Sequence, residues 1–84
     1  MTKSTHTAEY RSLVELLTAT RLEQSLTQQE VANRLGKPQS YVAKVEGAER
    51  RIDLVEFIAL AKALDIDPSL LFNAALADIQ KLGR

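Results

Sequence analysis

Residues 26–46 read LTQQEVANRLGKPQSYVAKVE, and two short helices joined by a tight bend are legible in them. Thr27-Gln28-Gln29-Glu30 has the form of a capping box, in which the hydroxyl accepts a backbone N–H and the glutamate reaches back to the cap. Val31, Ala32 and Leu35 then give one apolar face. Gly36 stops the helix, because a left-handed residue after the last turn suits a side chain without a Cβ. Pro38 is expected to open the next helix, where its missing N–H removes nothing. That helix runs to about Glu46 and ends at Gly47, with Val42 and Val45 as its inward pair.

Only Gly36, Lys37 and Pro38 separate the two helices, too few residues for them to lie antiparallel and flush. They should cross steeply, as in a helix-turn-helix. A steep crossing needs a small side chain where the axes approach, and Ala32 is there. It needs a left-handed bend, and Gly36 is there. It needs the second helix pinned by one face, as Val42 and Val45 allow. The opposite face (Gln39, Ser40, Ala43 and Lys44) is then free. The predicted helix-turn-helix unit is 28–46.

Outward from this unit the chain stays helical. Residues 9–24 place Tyr10, Leu13, Val14 and Leu17 on one stripe, and Ser25 with Leu26 form a short connection. Asp53-Leu54-Val55-Glu56 is a second capping box, opening a helix whose apolar residues are Leu54, Phe57, Ile58, Ala61 and Leu64. Asp67-Pro68 opens the last helix, 68–82, with Phe72, Ala75, Leu76, Ile79 and Leu82 at helical spacing. No segment alternates like a strand. The expected fold is all-α, a five-helix bundle over 9–84 preceded by a flexible polar tail over 1–8.

Bulk composition bounds the function. The 84 residues suffice for one domain, and 45% hydrophobic with 26% charged residues is ordinary for a globular protein. The chain has no cysteine, so disulfides and thiolate metal sites are excluded. His6 stands alone in the polar tail and no glycine-rich phosphate loop exists, so no catalytic group, metal or cofactor is expected. No apolar run is long enough to span a bilayer, and a cytoplasmic location is the expectation. Eleven basic residues balance eleven acidic ones. The balance is uneven, however: Arg34, Lys37, Lys44, Arg50 and Arg51 face only Glu46 and Glu49 between positions 34 and 51. A neutral whole can present one basic face.

The words LTQQEVANRLGKPQSYVAKVE, GAERRID and LVEFIALAKAL, which run together from 26 to 64, resemble the XRE (Cro/cI-like, phage-repressor type) helix-turn-helix regulators. The resemblance implies a lambda-repressor-like domain that binds double-stranded DNA through the major groove. It implies base reading by Gln39, Ser40 and Lys44. Gln28 would donate to a phosphate and buttress Gln39, Tyr41 would lie beside the groove wall, and Lys37, Arg50 and Arg51 would hold the backbone. Arg21 and Glu46 match a pair that orients helices in the family. Two departures stand out: Gly47-Ala48 replaces a polar residue followed by glycine, and Glu49 replaces a common base.

The last helix has more apolar positions than one face needs, so Leu71, Leu76, Ile79 and Leu82 are expected either to contribute to a homodimer interface or to close the domain's own core. A dimer reads two half-sites one helical turn apart. The resulting expectation is a homodimeric repressor on an inverted-repeat operator, with no small-molecule effector. Within the same fold, an antitoxin or a restriction-modification controller is the alternative. Zero net charge suits a third reading, a helical protein-interaction domain that does not bind DNA.

Overall fold

A computed structural model describes residues 7–83. The tail expected over 1–8, with His6, lies outside the described residues except at its end. There Thr7 already caps the first helix, accepting from the Tyr10 N–H at 3.1 Å. Five helices follow: α1 (Ala8–Glu23), α2 (Gln28–Leu35), α3 (Gln39–Glu46), α4 (Leu54–Ala63) and α5 (Pro68–Leu82). There is no strand among the described residues. Both predicted capping boxes form, Thr27 with Glu30 and Asp53 with Glu56.

Pro38 is displaced by one residue from its expected place. It is the N-cap of α3, with ψ at 155°, and Gln39 is the first helical residue. Its carbonyl accepts the Tyr41 N–H at 3.0 Å, so the proline contributes an acceptor and the lost donor falls outside the helix.

Four helices end through the same left-handed turn, and only one of them uses glycine. Ser25, Gly36, Ala48 and Asp65 all have φ between 59° and 70°. In each case the next residue's N–H closes on a carbonyl five positions back, at 2.8–3.1 Å: Leu26 on Arg21, Lys37 on Ala32, Glu49 on Lys44, Ile66 on Ala61. Gly47 is therefore not the left-handed residue after α3, since its φ is −82°. Ala48 takes that position, where a Cβ costs about 1–2 kcal/mol.

The core gathers Leu17, Val31, Ala32, Val42, Val45, Phe57, Leu60, Ala61, Leu64 and Leu71. A second cluster, Tyr10, Val14 and Ala48, ties α1 to the turn after α3. Two helices are phased differently from their expected apolar stripes. In α4, Leu60 is buried, whereas Leu54 is 64% exposed and Ile58 36%. In α5, Leu71 is 1% exposed and belongs to the interior, whereas Phe72, Leu76 and Leu82 are 43–50% exposed. Both helices carry aliphatic residues around more than half their circumference, so spacing alone does not select the inward face; the packing of α5 on α1 and α4 does. Leu71 is thus corrected from an interface residue to a core residue.

Candidate nucleic-acid interface

Helix α3 packs on α2 and α1 and leaves Gln39 and Ser40 of its first turn exposed. Ala32 has no exposed surface, so the α2 and α3 backbones meet where the side chain is smallest. Gly36 has open space around it, nothing lying within 4 Å of a built Cβ. Its requirement is the φ of 70°, not room. Val42 and Val45 are each 1% exposed, and burying each contributes about 1.5–3 kcal/mol. Those two anchors set the rotation of α3. Gln39, Ser40 and Lys44 are consequently exposed, with Ala43 half-buried beside them.

The first residue of α3 is tied to the interior by a chain of polar contacts. Gln39 Nε2 donates to Gln28 Oε1 at 2.6 Å. Gln28 Nε2 donates to Glu46 Oε1 at 2.9 Å. Arg21 forks onto both Glu46 oxygens, at 2.6 and 3.0 Å, and its Nη1 donates to the Leu26 carbonyl at 2.9 Å. The Arg21 and Glu46 side chains are only 12% and 11% exposed. The hydrogen bond to Glu46 raises the Arg21 pKa above its ordinary value, against the opposing effect of burial. The pair spans α1 and α3 and is fully hydrogen-bonded, the condition under which a buried ion pair is tolerated.

Beside this chain, two tyrosines arrange three cations. Lys37 Nζ lies 5.3 Å and Arg50 Cζ 4.7 Å from the Tyr41 ring centroid. Arg51 Cζ lies 4.9 Å from the Tyr10 ring. All three distances are within cation–π range. The Tyr10 hydroxyl donates to the Arg50 carbonyl at 3.2 Å and accepts the Ile52 N–H at 3.1 Å, which holds the α3–α4 turn in place. Arg50 also donates to Glu56 Oε2 at 2.8 Å. Glu56 is held below the ordinary carboxylate range, first by Arg50 and then by the Asp53 backbone N–H. Burial, followed by the Glu56 charge, pushes the Tyr41 hydroxyl up, so it stays neutral at ordinary pH.

Gln28 thus meets Gln39 at the start of α3, Lys37 and Arg50 flank Tyr41, and Arg51 lies beside Tyr10, while Ser40 and Lys44 are exposed on α3. Two contributors were not singled out from sequence. Tyr10 was read only as part of an apolar stripe, and its hydroxyl partners lie 40 and 42 residues away. Glu56 was read only as a cap, but its second oxygen is taken by Arg50. Lys37 lies in the turn before the Pro38 cap, outside α3, so helical spacing gave no signal for its approach to Tyr41.

A helix-turn-helix family model matches residues 17–71. Among solved structures, an XRE-family like protein from Pseudomonas syringae pv. tomato str. DC3000 is 43% identical, with a TM-score of 0.80 over 86% of this chain and 88% of that one. The restriction-modification controller protein C.AhdI from Aeromonas hydrophila is 37% identical, with a TM-score of 0.65 over 71% of this chain and 91% of that one. The controller protein C.Esp1396I, solved as a tetramer with its natural 35 base-pair operator, is 17% identical. It shares the fold at a TM-score of 0.81 over 89% of this chain and 99% of that one. No curated protein matches the sequence. On the strength of the family match and of the 43% identical structure, the chain belongs to the XRE family of helix-turn-helix proteins.

Proposed function

We propose that this chain is a sequence-specific, double-stranded DNA-binding transcriptional regulator that reads the major groove with α3. The observation that carries the reading is the orientation of that helix. Its buried face holds Val42 and Val45, which leaves Gln39, Ser40 and Lys44 outward with Lys37, Arg50 and Arg51 to the sides. A glutamine amide pairs with adenine N6 and N7, and lysine with guanine O6 and N7. The flanking bases and Tyr41 meet phosphates, which fix register without carrying sequence. The neutral net charge is no obstacle, because only this face meets the duplex. The role is non-enzymatic, without a cofactor, and cytoplasmic. No described helix is long and apolar enough to cross a membrane.

The regulator acts as a homodimer on an inverted repeat, most simply as a repressor. Leu54 and Phe72, with Leu76, Ile79 and Leu82, leave an apolar face on α4 and α5. A groove of about 230 Å³ runs between Leu13, Leu54, Phe72, Leu76 and Ile79. The exposure of Leu54, Phe72, Leu76 and Leu82 beside this groove supports a protein contact there. Helix α5 packs on α1 and α4, and α3 on α1 and α2, so a partner can dock without covering the reading helix. Two such subunits read half-sites about 34 Å apart. The second reading is a restriction-modification controller, and the 37% identity to C.AhdI favours it.

Selection of bound duplexes from a randomised pool, followed by two variants, tests the proposal. Gln39→Ala should relax preference at one base position by about 1–3 kcal/mol. Arg50→Ala should weaken binding to all sequences alike and shallow the slope of log K against log salt by about one unit. Absence of salt-dependent binding to any duplex would return the chain to the protein-interaction reading.

A further inference from the structure

The polar chain that ends at Gln39 begins on a buried charge, and this has a consequence for what Gln39 can read. A carboxamide is nearly symmetric in shape, so packing alone leaves its oxygen and nitrogen interchangeable. An ionised carboxylate removes that freedom, because it only accepts hydrogen bonds. Glu46 is such a group, with Arg21 forked onto it. Gln28 must therefore meet Glu46 Oε1 with its nitrogen, at 2.9 Å; reversed, it would set two acceptors against each other. Its oxygen is then left for Gln39, which must donate, as it does at 2.6 Å. Gln39 keeps its second Nε2 hydrogen and its Oε1 for a ligand.

We infer that Glu46, held by Arg21, acts through Gln28 to set the donor–acceptor order in which Gln39 meets a base edge, and is a specificity-determining positioning residue that touches no DNA. One donor beside one acceptor complements adenine N7 and N6. With the relay reversed, Gln39 would spend its oxygen on Gln28 and offer two hydrogens, the complement of guanine N7 and O6. The ion pair thus selects adenine over guanine from a distance. This deepens the DNA-reading proposal and rests on it.

The test uses the full chain and the position at which Gln39→Ala loses its preference in duplex selection. Wild type should favour adenine over guanine there by about ten-fold or more, the size of a good base contact. Gln28→Met removes the middle link and leaves the Arg21–Glu46 pair intact. It should bring the preference at that position to within about two-fold of unity while other positions keep theirs. A lost phosphate contact would instead weaken all sequences alike. Glu46→Gln, which can donate or accept, should lose preference at the same position. Side-chain amide NMR of the free protein supplies a readout independent of DNA. One Nε2 proton of Gln28 and one of Gln39 should be shifted downfield, and Gln28→Met should return the Gln39 pair toward free glutamine. An adenine preference retained in folded Gln28→Met, or wild-type Gln39 amide signals at free-glutamine positions, overturns the inference. If wild type binds no duplex, the DNA reading fails and the amide signals still judge the relay.

Discussion

Replacing Glu46 by leucine should remove a large share of the protein's stability, whereas replacing Glu46 and Arg21 together should nearly restore it. The Arg21 and Glu46 side chains are 12% and 11% exposed, so neither charge is well solvated. Glu46→Leu strands the guanidinium, and stranding one member of a buried pair costs about 3–5 kcal/mol. The Leu26 carbonyl still accepts from Arg21 Nη1, which argues for the lower end, about 3 kcal/mol. A chain of this length has about 4–13 kcal/mol in total, so the single variant forfeits a large share. In Arg21→Met/Glu46→Leu no charge remains to be stranded, and the fold should return to within about 1 kcal/mol of wild type or exceed it. Urea unfolding followed by far-UV circular dichroism, at one fixed protein concentration, reads this directly. With a slope of about 1 kcal/mol per molar, the single variant's midpoint falls by about 3 M and the double variant's barely moves. A loss below about 1 kcal/mol in the single variant would mean the pair is effectively solvated. A double variant no more stable than the single would locate the loss in packing, and the electrostatic account would be wrong.

Other outcomes follow from the same structure. Ala48 and Ala61 are both buried, but Ala48 has φ at 60° and Ala61 is helical. Ala61→Gly should cost about 2 kcal/mol, from lost burial and helix propensity together. Ala48→Gly should stay within about 1 kcal/mol of wild type, because relief of the left-handed strain offsets the lost methyl; equal losses in calorimetry would contradict the strain. Acid should destabilise the fold through Glu30, held low by the Thr27 backbone and hydroxyl, and through Glu56, held low by Arg50 and the Asp53 backbone. Their folded pKa values lie below the ordinary 4.5. The stabilisation is therefore complete above that value and lost as pH falls through the lowered ones. Glu56→Gln should flatten part of the decline in urea midpoint below about pH 5. Leu76→Glu puts a charge into the apolar groove, and sedimentation should then report a monomer that keeps wild-type helicity; an unchanged dimer would exclude this face.

Local chemistry was enough to place every helix of this protein within a residue or two. Capping boxes at Thr27 and Asp53, prolines at 38 and 68 and the stop at Gly36 act between residues a few positions apart, so the string itself contains both partners. The bend around Ala32 and Gly36, and the outward face of α3 opposite Val42 and Val45, were legible for the same reason. Contacts between distant residues were not. The turns at Ser25, Ala48 and Asp65 look ordinary in sequence, because no glycine marks the left-handed residue that each of them uses. The inward faces of α4 and α5 follow from their neighbours, which sent Leu71 to the core and left Leu54, Ile58 and Phe72 outside. Tyr10 meets Arg51 and the Arg50 carbonyl, and Glu56 meets the Arg50 side chain, only in three dimensions. The family resemblance implied that Arg21 pairs with Glu46 and that Gln28 buttresses Gln39, and both contacts form; the Gln28–Glu46 bond that joins them into one chain was not implied. Hydrogen-bond direction is a property of such assembled neighbours, and folding alone brings them within reach.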